Sequence, residues 1–279
     1  MPEMAGRPRA QGFLGASVGR IRRALAYYGI TRRGGAEHVA VQHVALTDPG
    51  KRRSNNQDQA TTRDLGGGKV LLLVADGVGG AGGGEVASEA ALESVVATLS
   101  SSSLGDPAEA LRQAVRTAND RVRELATTDE RLSSMATTLV VAIIDGPKAW
   151  IISTGDSRAY LCGRGSCEAL TEDDSWVAEQ VRAGALTPDE AAKSPYQNVI
   201  TRGVGVEDTI DVDVVYELRL EPGQSILLCS DGLYRCVSPE EIAATLDGLA
   251  LVAAAERLIA MANEAGGPDN ISVALYRHG

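Results

Sequence analysis

Histidine and paired cysteine are scarce in this chain of 279 residues. There are three His (His38, His43, His278) and four Cys (Cys162, Cys167, Cys229, Cys236), with no CxxC spacing. A zinc site built on His and Cys is therefore not expected, nor is a disulfide framework in a chain of this length. The four Cys are expected to be reduced and buried, as in a cytosolic protein. No apolar run reaches the ~18 residues that span a bilayer. The N-terminus lacks the compact apolar core and cleavage site of a signal peptide, so a cytoplasmic setting is expected. Positive charge is in deficit: the net charge is −10, which argues against a nucleic-acid partner. The deficit is uneven. Residues 1–36 hold seven Arg and one acidic residue (Glu3), so they carry +6 and the remainder about −16. The Gly79–Gly84 run lacks the GK[ST] ending of a phosphate-binding loop, which argues against nucleotide binding there.

What is present centres on Lys69–Gly80, KVLLLVADGVGG. A continuous apolar run bounded by glycine reads as a strand buried on both faces. Asp76 then stands where that strand opens into a glycine turn. A carboxylate there is costly to desolvate unless a cation meets it. Taken alone, one such Asp is better read as an ordinary Asp-Gly turn bonding its own backbone.

The rest of the chain divides into a basic extension, residues 1–37, and one domain, residues 38–279, with no linker or internal repeat inside it. Gly12–Ile30 has the spacing of a short basic amphipathic helix, with Phe13, Leu14, Val18, Ile21, Leu25 and Tyr28 on one side. Such helices lie on anionic membranes or partner surfaces; a mobile tail, or a helix packed on its own domain, is the favoured alternative. Strands are expected at Val39–Leu46, after Asp58, at Ala136–Ile144, Ala149–Ser153, Arg158–Cys162, Ile210–Leu218, Ser225–Ser230 and Ile271–Tyr276. Helices are expected at Glu85–Leu99, from Asp106-Pro107 to about Ala126, at Trp176–Gly184, after Thr187, after Ser238 and at Leu249–Ala265. Strands cluster into hairpins and helices into pairs, so the class is a layered α+β domain rather than a doubly wound parallel sheet.

Asp76 has company. Asp156, Asp231 and Asp269 also stand at the ends of apolar runs, beside Gly, Ser or Pro. Four converging carboxylates repel one another unless cations separate them. An all-oxygen donor set selects hard ions, Mg²⁺ or Mn²⁺, and less readily Ca²⁺. Two ions bridged by a carboxylate activate water and clamp an in-line displacement at phosphorus. Arg53, five residues before Asp58, is the candidate phosphate anchor, since a guanidinium grips two phosphate oxygens.

With these residues assembled, the chain resembles the metal-dependent Ser/Thr protein phosphatases of type 2C (the PPM family) in their bacterial form, over residues 38 to 277. RSNNQD at Arg53–Asp58, ADGVGG at Ala75–Gly80, ATTLVVA at Ala136–Ala142, GDSRAYL at Gly155–Leu161, SDGL at Ser230–Leu233 and GPDNISV at Gly267–Val273 carry the resemblance. It implies a four-layer αββα sandwich of two antiparallel sheets flanked by helices, with a small helical flap near residues 171–205. It implies hydrolysis of phosphoserine and phosphothreonine by direct attack of a dimetal-bound hydroxide, without a phospho-enzyme. Asp76 would bridge two Mn²⁺ or Mg²⁺ ions. The Gly77 carbonyl would ligate one of them, and Asp231 and Asp269 would complete the other. Asp58 and Gln57 would act through water, Asp156 with Asp231 would serve a third, weaker ion, and Arg53 would hold the phosphate. Phosphoproteins made by a bacterial Ser/Thr kinase are the implied substrates, and the kinase itself an implied partner. This sequence departs from the pattern at Gln57, where Glu is usual, at Ala81, Asp174 and Ser194, where His is typical, and at Ala136, where Gly is. A catalytically weak regulatory or binding module of the same fold is the alternative these departures raise.

Overall fold

The computed structural model describes residues 25–30, 41–80, 82–101, 105–211 and 215–279. In chain order the strands are β1 (Leu25–Ile30), β2 (Val41–Asp48), β3 (Asp58–Gly66), β4 (Lys69–Val78), β5 (Ala136–Thr137), β6 (Leu139–Asp145), β7 (Lys148–Thr154), β8 (Arg158–Gly163), β9 (Ser166–Ala169), β10 (Tyr216–Arg219), β11 (Ser225–Cys229) and β12 (Ile271–Arg277). The helices are α1 (Gly83–Ser101), α2 (Pro107–Ala126), α3 (Trp176–Arg182), α4 (Pro188–Ala191), α5 (Asp231–Tyr234), α6 (Pro239–Gly248) and α7 (Leu251–Glu264).

The strands form two sheets, ordered β1-β2-β12-β11-β8-β9 and β10-β7-β6-β4-β3, with β5 paired to the end of β4. Each pairing is antiparallel. Two-residue periodicity sorts each strand between two cores. In β4, Leu71, Leu73 and Ala75 pack under α1 and α2, whereas Val70, Leu72 and Val74 face the opposite sheet. In β12, Ile271, Val273 and Leu275 pack with α6 and α7, whereas Ala274 and Tyr276 face inward. An antiparallel sheet usually shows one polar face; here helices cover the outer faces, so the strands read as unbroken apolar runs. The result is the expected α+β sandwich, helix layer on sheet on sheet on helix layer.

Caps match the chemistry of the sequence. Asp106 accepts from the amides of Ala108 and Glu109 ahead of Pro107. Thr187–Glu190 and Ser238–Glu241 form reciprocal capping boxes, each worth about 1 kcal/mol. α3 and α4 are the two helices of the expected flap. Inside it the Trp176 amide donates to the Val199 carbonyl at 2.8 Å, and paired backbone hydrogen bonds between Thr137 and Val204 at 2.9 Å tie it to β5.

The structure corrects three expectations. Leu25–Ile30 is an edge strand on β2, not the end of a helix; backbone hydrogen bonds to β2 take precedence over its helical spacing. Residues 12–24 of that expected helix lie outside the described residues, as does Ala81. The strand expected over Ile210–Leu218 begins only at Tyr216. Ile210 instead packs into the helix-side core beside Val204. Cys162 and Cys167 are joined by a disulfide rather than both reduced. The β8–β9 register sets them directly opposite each other, and facing cross-strand side chains are close neighbours. Cys229 is buried and unpaired, and Cys236 is half-buried. Among the described residues, no helix is long and apolar enough to cross a membrane.

Candidate metal centre

Topology brings the acidic residues together. Asp58 opens β3 and lies directly opposite Asp76 in β4. By strand alternation both follow the inward-facing set of Ala60 and Val74. Asp76 sits within β4 rather than beyond it, because the ladder continues to Val78 through β5. β11 ends where β12 begins, since the two are antiparallel; Asp231 follows the first and Asp269 precedes the second. Asp156 lies in the link from β7, in one sheet, to β8, in the other. All five therefore fall at one end of the sandwich.

The backbone there is locked from several sides. The Thr138 hydroxyl accepts from the Asp76 amide at 2.9 Å, and the Thr137 hydroxyl donates to the Asp76 carbonyl at 2.9 Å. Ser230 donates to Asp58 Oδ2 at 2.7 Å and accepts from the Ser272 amide at 3.0 Å. Asn270 accepts from the Gln57 amide at 2.9 Å and donates to the carbonyls of Pro49 and Asn55, fixing the loop that carries Arg53. Ser88 on α1 donates to the Gln57 carbonyl at 2.6 Å. These hydroxyls and Asn270 were not singled out from sequence. Ser230 and Asn270 each stand one residue from an Asp, Thr137 and Thr138 open an apolar run, and Ser88 lies within α1.

Two glycines are required by close approach. A Cβ on Gly77 would lie 2.0 Å from the Gly84 carbonyl oxygen, and one on Gly232 would lie 1.9 Å from that of Asn270. Both contacts are with backbone, so neither can yield cheaply. Gly232→Ala should cost about 3 kcal/mol, read as a lower urea midpoint with an unchanged slope.

The carboxylates perturb one another strongly. Asp58 is pushed up to about 7, first by burial, against the Ser230 and Ser272 hydrogen bonds, with Asp231 and Asp269 adding to the rise. Asp76 is held well above the ordinary carboxylate range by burial, then by Asp58, Asp231, Asp156 and Asp269. Asp156 is raised to about 7 by burial and by Asp231, with Arg235 opposing. Asp231 is raised by burial, with Arg235 and Arg53 opposing. Arg53 Nη2 meets Asp269 Oδ2 at 2.7 Å, and Arg235 Nη2 meets Asp231 Oδ2 at 3.1 Å. Each sequence-selected residue thus reaches the same end of the molecule. Gln57 does so with its amide nitrogen 3.5 Å from the Gly79 carbonyl oxygen.

Among the described residues, no three His, Cys, Asp or Glu side chains close on a single point as a finished cation cage; Arg53 and Arg235 stand among the carboxylates. The donor set nevertheless fits divalent ions. It is all oxygen, and the buried Oδ1 atoms of Asp58 and Asp231 have no hydrogen-bond partner. Orphaned buried carboxylate oxygens are costly, and a hard cation is the partner that suits them.

A carboxylate cluster beside an arginine, at the end of a two-sheet sandwich, defines a divalent-metal phosphate hydrolase in outline. Comparison with known proteins is more specific. The family model described as protein phosphatase 2C matches residues 50–271. The protein phosphatase PhpP of Streptococcus pneumoniae is 38% identical over 235 residues, 82% of this chain and 94% of that one. The serine/threonine protein phosphatase PstP of Mycobacterium tuberculosis is 34% identical over 84% of this chain and 44% of its own. The solved Streptococcus agalactiae serine/threonine phosphatase superposes with a TM-score of 0.80 at 34% identity, covering 85% of this chain and 99% of that one. The catalytic domain of PstP, solved in complex with 2 manganese ions, superposes at 0.75 with 32% identity, covering 85% and 97%. The chain belongs to the protein phosphatase 2C family, the metal-dependent serine/threonine protein phosphatases.

Proposed function

We propose that this phosphatase hydrolyses phosphoserine and phosphothreonine in a single displacement at phosphorus, with two Mn²⁺ or Mg²⁺ ions held by Asp76, the Gly77 carbonyl, Asp231 and Asp269. The observation that carries the reading is the gathering of five acidic side chains from both sheets around buried oxygens that lack partners. When bound, the ions would activate a water for in-line attack and offset charge on the phosphoryl oxygens. Asp58 and Gln57 flank the pocket and would orient that water. Arg53, paired with Asp269 at 2.7 Å, would be released to grip two phosphate oxygens if a cation took up that carboxylate. Val78 offers no proton donor beside the pocket, so a water must protonate the leaving serine or threonine oxygen. The substrates are phosphoproteins made by a bacterial Ser/Thr kinase in the cytoplasm, and the arginine-rich residues 1–36 offer a contact for a partner or anionic lipid.

Turnover of a phosphothreonine peptide should require Mn²⁺ or Mg²⁺ and stop with chelator. Divalent-independent turnover would count against the reading. Arg53→Ala should raise KM for the peptide about 10- to 100-fold, as expected for losing charge-assisted hydrogen bonds, while Mn²⁺ affinity does not fall, because Asp269 is freed from its partner. An unchanged KM would remove Arg53 from the phosphate site.

A further inference from the structure

We propose that Arg235 is a resident cation: its guanidinium fills the interval between Asp156 and Asp231 and fastens the flap there, so this chain takes two divalent ions rather than three.

The geometry is specific to Arg235. It follows α5, one helical turn beyond Asp231, which directs its side chain back along the same helix face. Nη2 lies 3.1 Å from Asp231 Oδ2 and 3.4 Å from Asp156 Oδ2. The two carboxylate side chains are only 10% and 8% exposed, so their mutual repulsion is poorly screened by water and needs a positive group between them. The same guanidinium donates from Nη2 to the Gln197 carbonyl at 3.0 Å and from Nη1 to Asn198 Oδ1. Both residues belong to the flap, between α4 and the Ser175–Ile200 bridge. Nη2 carries two N–H groups for three oxygens: they donate to the Gln197 carbonyl and Asp156 Oδ2, so the approach to Asp231 Oδ2 is a charge pairing.

A third divalent ion shared by Asp156 and Asp231 would have to sit beside the guanidinium charge that already lies between their Oδ2 atoms, and like charges repel there. Asp231 Oδ1 stays unpartnered and available to the ions expected with Asp76 and Asp269. The guanidinium therefore displaces one ion without disabling the other two.

The proposal rests on the divalent reading above, and the test separates the two. Full-length protein is stripped of metal and titrated with Mn²⁺, counting ions by calorimetry and by loss of free-Mn²⁺ electron paramagnetic resonance signal. Backbone hydrogen exchange over residues 194–199 is followed in the same samples. Native protein should bind two ions. Arg235→Ala should bind a third, weaker ion, and its flap amides should exchange about tenfold faster without metal, as expected for losing hydrogen bonds to a charged group. Arg235→Lys keeps the charge but not the fork, so it should bind two ions and still lose flap protection. It also serves if the Ala variant fails to fold. Native protein binding three ions, Arg235→Ala binding two, or unchanged flap exchange in Arg235→Lys would each overturn the proposal. Native protein binding no Mn²⁺ would instead overturn the divalent reading itself.

Discussion

Asp76→Asn lowers Mn²⁺-dependent hydrolysis of a phosphothreonine peptide about a thousandfold, or roughly 4 kcal/mol of transition-state stabilisation, and raises the melting temperature of the metal-free protein. The two effects have one origin. Asp76 lies opposite Asp58 in the ladder, and its carboxyl is held well above the ordinary range by burial and by Asp58, Asp231, Asp156 and Asp269. Without cations, that charge works against the fold. A neutral amide removes the repulsion and keeps the shape, so the metal-free protein gains on the order of 1–2 kcal/mol. With cations, the same charge is what binds them, and an amide cannot replace it. Parallel kinetic and thermal measurements distinguish this from simple misfolding, which would lower both activity and melting temperature. A melting temperature that falls with activity would contradict the assignment.

Metal-free protein loses stability as pH rises from about 4 to about 7, and Mn²⁺ restores it at the upper end. An unfolded Asp titrates near 3.9, whereas folded Asp58 and Asp156 are both pushed up to about 7. Between these values the folded chain holds protons that the unfolded chain has released. The linkage slope is then negative, so stability falls with pH through that window and levels off above it. Displacements of this size correspond to about 4 kcal/mol for each of the two groups. Mn²⁺ binds the ionised carboxylates and competes with protons, so its affinity climbs over the same window. At a hundredfold excess over its Kd it returns about 2.7 kcal/mol. Thermal melts from pH 4 to pH 8, with and without Mn²⁺, should diverge as pH rises. Parallel curves would mean that the carboxylates are not the metal site.

Much of this arrangement was legible in the chain. The run Leu71–Val74 announced a strand buried on both faces, and alternation then placed Asp76 on the inward side with Val74. Gly77 and Gly232 follow Asp76 and Asp231 because neighbouring carbonyls leave no room for a Cβ. Asp106-Pro107 and Ser238-Pro239 marked helix starts, since capping is local chemistry. What stayed hidden was non-local. Leu25–Ile30 joins a sheet through backbone hydrogen bonds that any sequence can make. The Cys162–Cys167 bond depends on hairpin register, not spacing. Nothing in the sequence marks Arg235; its contacts with Asp156 and the Gln197 carbonyl join segments far apart in the chain and exist only in the fold.

Crystals grown with saturating Mn²⁺ and measured at an anomalous wavelength would test the central claim most directly. The account predicts two peaks about 3.5–4 Å apart, bridged by Asp76 and flanked by Asp231 and Asp269, with Arg53 released from Asp269. Peaks elsewhere on the molecule, or a pocket without manganese while Arg53 still holds Asp269, would contradict it.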